Sequence, residues 1–180
     1  RLQNQDHCQM NNISTFTSKT STINTLIRPH LKSLYRYAFR LSGHKSSAED
    51  LVQDTLLYIL EHQDKFMSLD PVKPWMMRCL YHRFVDNYRR YNRYETISEA
   101  HLKSLKTQED LTETAFFSAQ IRTFIGLLKP AQRTAVTLFD IEGYTISEIS
   151  RILEIPESTV KSHLARGRKI IKEKIRVQLF

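Results

Sequence analysis

The sequence predicts an all-α protein built from two small helical domains that a flexible linker joins, with a helix-turn-helix in the C-terminal domain. The 180 residues include four Gly and five Pro, and apolar residues recur at helical spacing through most of the chain. Near the C-terminus a capped helix, a turn marked by proline and a cation-rich helix follow one another. Residues 95–115 are polar and acidic and have no apolar periodicity, which favours a linker between two domains.

The N-terminal part begins with residues 1–22, which are rich in Asn, Gln, Ser and Thr and are expected to be disordered. Met10 is a candidate natural start, in which case residues 1–9 form an extension. Helical spacing then predicts a helix from Leu31 to Leu41 and another that begins at a Ser46–Glu49 capping box. The buried stripe of the second helix is expected to consist of Val52, Leu56, Ile59 and Leu60.

An acidic patch lies on the other side of that second helix, in an otherwise basic protein of net charge +8. Its members are Glu49, Asp50, Gln53 and Asp54. Such a patch is typical of a docking surface for a basic partner, but acids in a first turn also stabilise a helix through its dipole. Both interpretations stay open from the residues alone.

A long helix is predicted from Trp75 to about Tyr91, and Pro74 suits its first turn. One continuous polar face of this helix carries Arg78, His82, Asp86, Arg89, Arg90 and Arg93. Tyrosines are interleaved with these cations, as in surfaces that hold phosphates and stack exposed bases, where each stacked base contributes about 1 to 3 kcal/mol. The alternative is that the aromatic rings belong to the core and the arginines only solubilise the helix.

The C-terminal helix-turn-helix begins with a Thr145–Glu148 capping box, and Pro156 marks its turn. The second helix exposes Lys161, Ser162, His163 and Arg166 on one side. From Lys161 to Arg176 there are seven Lys or Arg residues and a single Glu, which suits the neutralisation of DNA phosphates. A solvated basic surface helix is the alternative interpretation.

Several classes of function have no support in the sequence. No apolar run is long enough to span a bilayer and no signal-peptide pattern appears, so a cytoplasmic protein is expected. Cys8 and Cys79 lack the spacing of a disulfide framework or a metal site, and no phosphate-binding Gly-rich loop occurs. We therefore expect no cofactor, no metal, no small-molecule substrate and no enzymatic activity.

Three motifs in order resemble the extracytoplasmic-function (ECF) group of bacterial sigma factors, the smallest members of the sigma-70 family. The first is Ala48-Glu-Asp-Leu-Val-Gln-Asp-Thr, and the second runs from Trp75 through Arg93. The third runs from Leu128-Lys-Pro-Ala-Gln-Arg through Glu142-Gly-Tyr-Thr-Ile-Ser-Glu-Ile-Ser to Ser158-Thr-Val-Lys-Ser-His-Leu-Ala-Arg-Gly-Arg. The resemblance covers about residues 24–176 and implies a sigma region 2 at 23–94 and a sigma region 4 at 116–180.

The resemblance implies a role for each polar face. The acidic patch would bind core RNA polymerase. The face on the Trp75 helix, with Trp75 itself, would read and melt the minus-ten element of promoter DNA. The minus-thirty-five element would be read by Thr159, Lys161, Ser162, His163, Arg166 and Arg168. The resemblance also implies an anti-sigma factor as a partner and a stress or envelope signal as the trigger.

Two positions depart from the family pattern. His82 stands where Asn is usual, and His163 stands where Arg is common. A neutral His cannot make the bidentate contact with guanine that Arg makes, so altered or weaker readout is expected at His163.

Two other functions are alternatives to that of a sigma factor. A stand-alone regulator that uses the same helix-turn-helix would dimerise on a palindrome without polymerase, but it has no use for the basic face of the Trp75 helix. A metal-dependent nuclease would need a third ligand beside Asp50 and Asp54, and helical spacing offers none.

Overall fold

The computed structural model describes residues 21–94 and 113–179, and both ranges are helical without a strand. A helix over residues 21–27, which we call α1, continues into a 3₁₀ turn at Arg28–His30. The other helices of the N-terminal domain are α2 (Leu31–Ser42), α3 (Lys45–Glu61), α4 (Gln63–Met67) and α5 (Lys73–Tyr94). The C-terminal domain contains α6 (Glu113–Gly126), α7 (Pro130–Val136), α8 (Ile146–Leu153) and α9 (Glu157–Leu179).

The expected all-α fold with two helical domains is confirmed, with small differences at the edges of the predicted segments. Residues 21 and 22, which were expected to be disordered, belong to α1. The remaining residues of that N-terminal segment and the linker residues 95–112 lie outside the described part of the chain. Residues 113–115, assigned to the linker from the sequence, form the first turn of α6.

Helix α3 differs from the prediction at its start and in its buried stripe. It begins at Lys45 with His44 in the N-cap position, and no side chain caps it. The Ser46–Glu49 capping box is therefore absent, because Ser46 already lies inside the first turn. The residues that α3 buries completely are Ala48, Leu51, Thr55 and Ile59. Val52 and Leu56 are half-buried, whereas Leu60 is 40% exposed and was wrongly assigned to the core.

The N-terminal core forms where α2, α3 and α5 pack on one another. Its fully buried side chains include Leu34, Tyr37, Met76 and Leu80. Helix α2 ends at Gly43, whose φ of 81° places it in the left-handed region and whose N–H donates to the Phe39 carbonyl at 2.8 Å. A glycine ends a helix in this way because it has no Cβ to oppose a positive φ. The chain can therefore turn sharply into α3.

In the C-terminal domain, α7 continues directly into a π-helical turn, Thr137–Ile141, before the chain reaches the helix-turn-helix. The N–H of Glu142 closes this turn on the Thr137 carbonyl at 3.0 Å. Helix α9 crosses α7 closely at Gly167, where an added Cβ would lie 2.8 Å from Val136 Cγ2. The absence of a side chain at Gly167 thus permits the approach of the long helix to the domain core.

The two domains pack directly on each other. Helix α5 contacts both α7 and α8, and α2 contacts α6 and α7. Buried apolar side chains of both domains form one continuous core, with Phe84 on one side and Leu128 and Val136 on the other among its members. The domains that carry the candidate DNA-binding faces are therefore held against each other in this structure.

Candidate nucleic-acid interface

The helix-turn-helix is positioned by the predicted cap at its start. The N–H of Glu148 donates to Thr145 Oγ1 at 3.2 Å, and the N–H and hydroxyl of Thr145 each donate to Glu148 Oε2 at 2.8 Å. These hydrogen bonds hold the pKa of Glu148 below its ordinary value, with the backbone N–H of Thr145 as the largest cause. The capping box that the sequence predicted here is confirmed, and it fixes the direction in which α8 leaves the preceding turn.

The turn between the two helices uses a left-handed residue and a proline. Glu154 ends α8 with φ 55° and ψ 41°, and its N–H donates to the Ser150 carbonyl. After Pro156, the N–H groups of Thr159 and Val160 both donate to the Pro156 carbonyl, at 2.9 and 3.1 Å. The first turn of α9 is thus hydrogen-bonded back to the proline, which sets the angle between the helices.

Helix α9 presents a buried side and an exposed basic side. Val160, Leu164 and Gly167 pack inward, whereas Lys161, Ser162 and Arg166 are exposed and Thr159 is half-buried. The exposed side is free to enter a major groove, as expected of the second helix of a helix-turn-helix. We call its first half, residues 157–168, the recognition segment.

His163 lies at the boundary between these two sides. It is half-buried, and its Nδ1 atom is buried without a hydrogen-bond partner among the described residues. Burial, followed by the nearby Arg166 guanidinium, lowers the pKa of His163 below its ordinary value. The imidazole is therefore neutral near pH 7, which agrees with the expectation that it cannot imitate an arginine.

Arg168 forms an ion pair with an acidic side chain of its own domain, a contact that the sequence did not indicate. Its Nε atom donates to Asp140 Oδ2 at 3.1 Å, its Nη2 atom donates to Asp140 Oδ1, and its guanidinium lies over the Phe139 ring at 5.1 Å. The hydrogen bond that Arg168 donates to Asp140 raises the pKa of Arg168. Arg168 therefore joins α9 to the π-helical turn, and a contact with DNA would have to form beside this ion pair.

The polar face of α5 is exposed over most of its length. His82, Asp86, Arg89 and Arg90 are exposed, and Asp86 and Arg89 form a weak pair at 3.9 Å. Tyr91 is 62% exposed next to this face, as a base-stacking ring would have to be. Arg93 lies in the last turn of α5, where the structure describes the backbone alone.

Arg78 and Trp75 differ from the rest of that face. Arg78 contacts α8 through hydrogen bonds to the Ile152 and Arg151 carbonyls, at 2.9 and 2.5 Å, and through an ion pair with Glu154. Trp75 is 8% exposed. It packs against Tyr58 and Phe66, with ring centroids 5.9 and 5.7 Å away. The ring therefore lies in the core of the N-terminal domain, and the contact of Trp75 with the minus-ten element stays a prediction.

The acidic patch is a separate surface, on α3. Glu49, Asp50, Gln53 and Asp54 are all exposed. The patch continues into an apolar extension that sequence reasoning missed, because Leu57 is 59% exposed and Leu60 is 40% exposed. The spacing could have revealed it, since Leu57 follows Gln53 by four positions and therefore lies on the same side of the helix.

The described residues contain no cluster of His, Cys, Asp or Glu that could hold a metal ion. Among these same residues, no helix is long and apolar enough to cross a membrane. The prominent features of the chain are thus two basic faces on α5 and α9 and an acidic-apolar face on α3.

Two family models match the chain in the order that the motifs predicted. The model described as sigma-70 region 2 matches residues 26–94, and the model described as sigma-70, region 4 matches residues 118–171. A helical protein with these two regions is a transcription initiation factor of the sigma-70 type, a class that has no enzymatic activity.

Curated relatives place the chain within one group of that class. ECF sigma factor SigM of Mycobacterium tuberculosis is 31% identical over 149 residues, which are 79% of this chain and 71% of the relative. EcfG of Rhodopseudomonas palustris is 30% identical over 150 residues, 83% of this chain and 82% of the relative. SigE of Mycolicibacterium smegmatis is 30% identical over 82% of this chain, which spans 59% of that relative's length. The chain belongs to the ECF sigma factors of the sigma-70 family.

Solved structures agree on the fold. One is the sigma factor RpoE from Bartonella quintana in complex with the anti-sigma factor NepR, which superposes with a TM-score of 0.65 at 24% sequence identity. The superposition covers 87% of this chain and 98% of the RpoE chain. CnrH, in complex with the cytosolic domain of CnrY, gives a TM-score of 0.64 at 18% identity, covering 92% and 94% respectively.

Proposed function

We propose that this chain binds core RNA polymerase and directs it to promoters, with α9 reading an upstream element and α5 reading and melting the minus-ten element. The observation that carries the proposal is the presence of three separate polar surfaces on three helices. Two are basic and suit DNA, and the third is acidic and suits a basic protein surface. A stand-alone regulator would leave the exposed Leu57 and the acids beside it without a role.

The acidic patch and its apolar extension form the proposed polymerase contact. Glu49, Asp50, Gln53 and Asp54 provide the charge, and Leu57 provides an exposed apolar side chain that a partner can bury. Apolar anchors beside charged groups are typical of protein interfaces, in which burial supplies affinity and charge supplies specificity and association rate. The same surface explains why an apolar residue with 59% exposure is tolerated on α3.

The two DNA faces would act together through the polymerase. A single helix-turn-helix buries little surface and makes few base contacts, so alone it discriminates poorly among genomic sites. Tethering a second reader to the same polymerase raises the effective concentration of each reader at the promoter. Unstacking of bases costs a few kcal/mol per step, and capture of the exposed bases beside Tyr91 and Arg90 would offset that cost.

We infer three further properties from this function. A cytoplasmic location follows from the proposed partner, because transcription takes place there. An anti-sigma factor is a proposed partner, supported by the structural relative RpoE, whose structure contains the anti-sigma factor NepR. A stress or envelope signal would act by releasing the chain from that partner.

Run-off transcription tests the function directly. Core polymerase would be assayed on fragments of the source genome with and without the protein, and new start sites that depend on the protein are expected. Lys161→Ala with Arg166→Ala should remove the dependence on the upstream element and leave polymerase binding intact, since each base contact contributes about 1 to 3 kcal/mol. The matched control is Lys172→Ala with Lys174→Ala, two exposed lysines further along the same helix.

Polymerase binding has its own test. Asp50→Arg with Asp54→Arg should weaken association with core polymerase and leave binding to upstream DNA unchanged. The control for the single substitution Asp50→Arg is Glu173→Arg, which makes the same change of charge at an exposed acid on α9. Equal affinity of all variants for core polymerase at physiological salt would exclude the α3 patch as the contact.

A further inference from the structure

We propose that a cavity between α2, α6 and the π-helical turn binds a small amphipathic carboxylate, with the apolar part of the ligand inside the cavity and its carboxylate at the arginines that line it. The cavity has a volume of about 350 Å³. Its lining residues belong neither to the acidic patch nor to the polar face of α5 nor to the recognition segment. The site therefore goes beyond the proposed function, which needs no small molecule.

The walls of the cavity are largely apolar. Tyr35 and Phe39 lie one turn apart on α2, and their rings stack with centroids 6.4 Å apart and an angle of 20° between the planes. Ile121 of α6 and Ile141 at the end of the π-helical turn are 40% and 37% exposed, and both line the same cavity. The buried Ile125 follows Ile121 by one turn of α6. Exposed large apolar side chains that converge on one concave site are typical of a ligand pocket.

The size of the cavity suits a small molecule. Ligand pockets have volumes of roughly 300 to 1,000 Å³, and this cavity lies near the lower end of that range. It holds about twelve water-sized groups at about 30 Å³ each, which is about the size of decanoate. One turn of an α-helix, a cylinder about 10 Å across and about 5.4 Å long, already occupies roughly 420 Å³. A helix of a protein partner could therefore only lie across the opening of the cavity.

The cavity carries more positive charge than the protein neutralises. The three arginines that line it are Arg36, Arg40 and Arg122. Arg40 pairs with Glu142, whereas no ion pair among the described residues engages Arg36 or Arg122. The guanidinium of Arg122 lies over the Phe39 ring, 5.9 Å from its centroid. Two guanidinium groups beside an apolar cavity are thus left for an anion.

Two of these arginines repel each other. Arg36 and Arg40 are four positions apart on α2 and lie on the same side of the helix, and like charges at this spacing destabilise a helix. The pKa of Arg40 is lowered, first by burial and then by the charge of Arg36. A carboxylate would relieve this repulsion, and guanidinium groups bind carboxylates through paired hydrogen bonds. An anionic head group is therefore favoured over a neutral or cationic one.

Calorimetric titration of the full chain with decanoate tests the site. Wild type should bind one decanoate saturably, at least about tenfold more tightly than acetate, which lacks the apolar chain, or decyltrimethylammonium, which has the opposite charge. Absence of saturable binding at millimolar decanoate would overturn the proposal. Equal binding of decanoate and decyltrimethylammonium would also overturn it, because the arginines would then have no part in recognition.

Two pairs of variants locate the ligand. Arg36→Gln should weaken decanoate binding about three- to tenfold, because it removes one charge-assisted contact. The control Arg28→Gln makes the same change at another exposed arginine of the N-terminal domain and should bind as wild type does. Ile121→Glu puts a carboxylate into the cavity and should weaken binding more than about tenfold. Its control is Leu127→Glu, at an apolar residue that is 36% exposed and lies just beyond α6.

Equal decanoate affinity within either pair of variants would exclude the cavity as the site. Circular dichroism shows whether each variant is folded. Arg36 is exposed, so Arg36→Gln decides the question by itself if Ile121→Glu does not fold.

Other occupants of the cavity would give different results. A second copy of the chain seated on it would appear in sedimentation velocity as a dimer that Arg36→Gln removes. A protein partner would be indicated by a helical peptide with Leu and Glu at helical spacing that displaces decanoate and binds more tightly than decanoate does. Either result would overturn the assignment of the cavity to a small carboxylate.

Discussion

Substitution of Arg133 should produce the largest loss of stability of any single arginine replacement proposed for this chain. Its side chain is 8% exposed, and its guanidinium donates to the carbonyls of Leu41, Gly126 and Leu128, at 2.6 Å for Leu41 and 3.2 Å for Leu128. It also lies over the Phe84 ring at 5.4 Å. Burial lowers the pKa of Arg133, but an arginine remains charged at neutral pH.

The expected magnitude follows from these contacts. Hydrogen bonds from a charged donor contribute about 1.5 to 3 kcal/mol each, and desolvation of the guanidinium offsets much of the sum. Arg133→Met keeps the length of the side chain and leaves three carbonyls without their donor. Each unpaired buried carbonyl costs about 1 to 3 kcal/mol, so we expect a loss of about 3 to 5 kcal/mol in the free energy of unfolding. Arg133→Lys should lose less, because an ammonium retains the charge but cannot reach the same three acceptors in a planar fork.

Urea unfolding followed by far-ultraviolet circular dichroism measures this loss. The exposed Arg90 provides the control, since Arg90→Ala should change the free energy of unfolding by less than about 0.5 kcal/mol. A change of less than about 1 kcal/mol for Arg133→Met would refute the reasoning, because it would mean that the three carbonyls find other donors at little cost.

Three other predictions follow from local features. Gly167→Ala should destabilise the protein by about 1 to 2 kcal/mol, because overpacking against Val136 outweighs the gain in helix propensity. Adding Val136→Ala should remove that clash, and an unchanged urea midpoint in the single variant would contradict the prediction. The lowered pKa of His163 means that the unfolded state binds more protons than the folded state below about pH 6.5. The free energy of unfolding should therefore fall on acidification more steeply in wild type than in His163→Gln, and urea midpoints that stay parallel from pH 7.5 to 5.5 would contradict this prediction. Burial raises the pKa of Cys79 to about 11. In a Cys8→Ser background, a thiol reagent should therefore react slowly with the folded protein at pH 7.5 and rapidly in urea, and fast labelling of the folded protein would contradict the prediction by showing that the thiol is accessible.

Features that depend on neighbours in sequence were the ones that could be predicted. The Thr145–Glu148 cap forms between partners that are three positions apart in the sequence. The similar Ser46–Glu49 pattern does not form a cap, because α3 starts one residue before Ser46. A sequence pattern of this kind indicates that a helix begins nearby, but the packing of the helix decides at which residue.

Features that depend on distant residues could not be predicted. The burial of Trp75 is one of them, because Tyr58 and Phe66, which pack against its ring, come from other helices. The engagement of Arg78 depends on residues more than seventy positions away. Periodicity assigns a residue to one side of a helix, but it does not reveal which partner that side meets.

The hydrogen bonds that cross the domain boundary have a consequence for the divergence of this protein. Arg78 and Arg133 donate to main-chain oxygens of Ile152, Arg151 and Leu41. A main-chain oxygen persists whatever side chain its residue carries, so substitutions at these acceptor positions preserve the bonds as long as the backbone stays in place. Side chains at these acceptor positions can therefore change while Arg78 and Arg133 preserve their polar contacts between the domains.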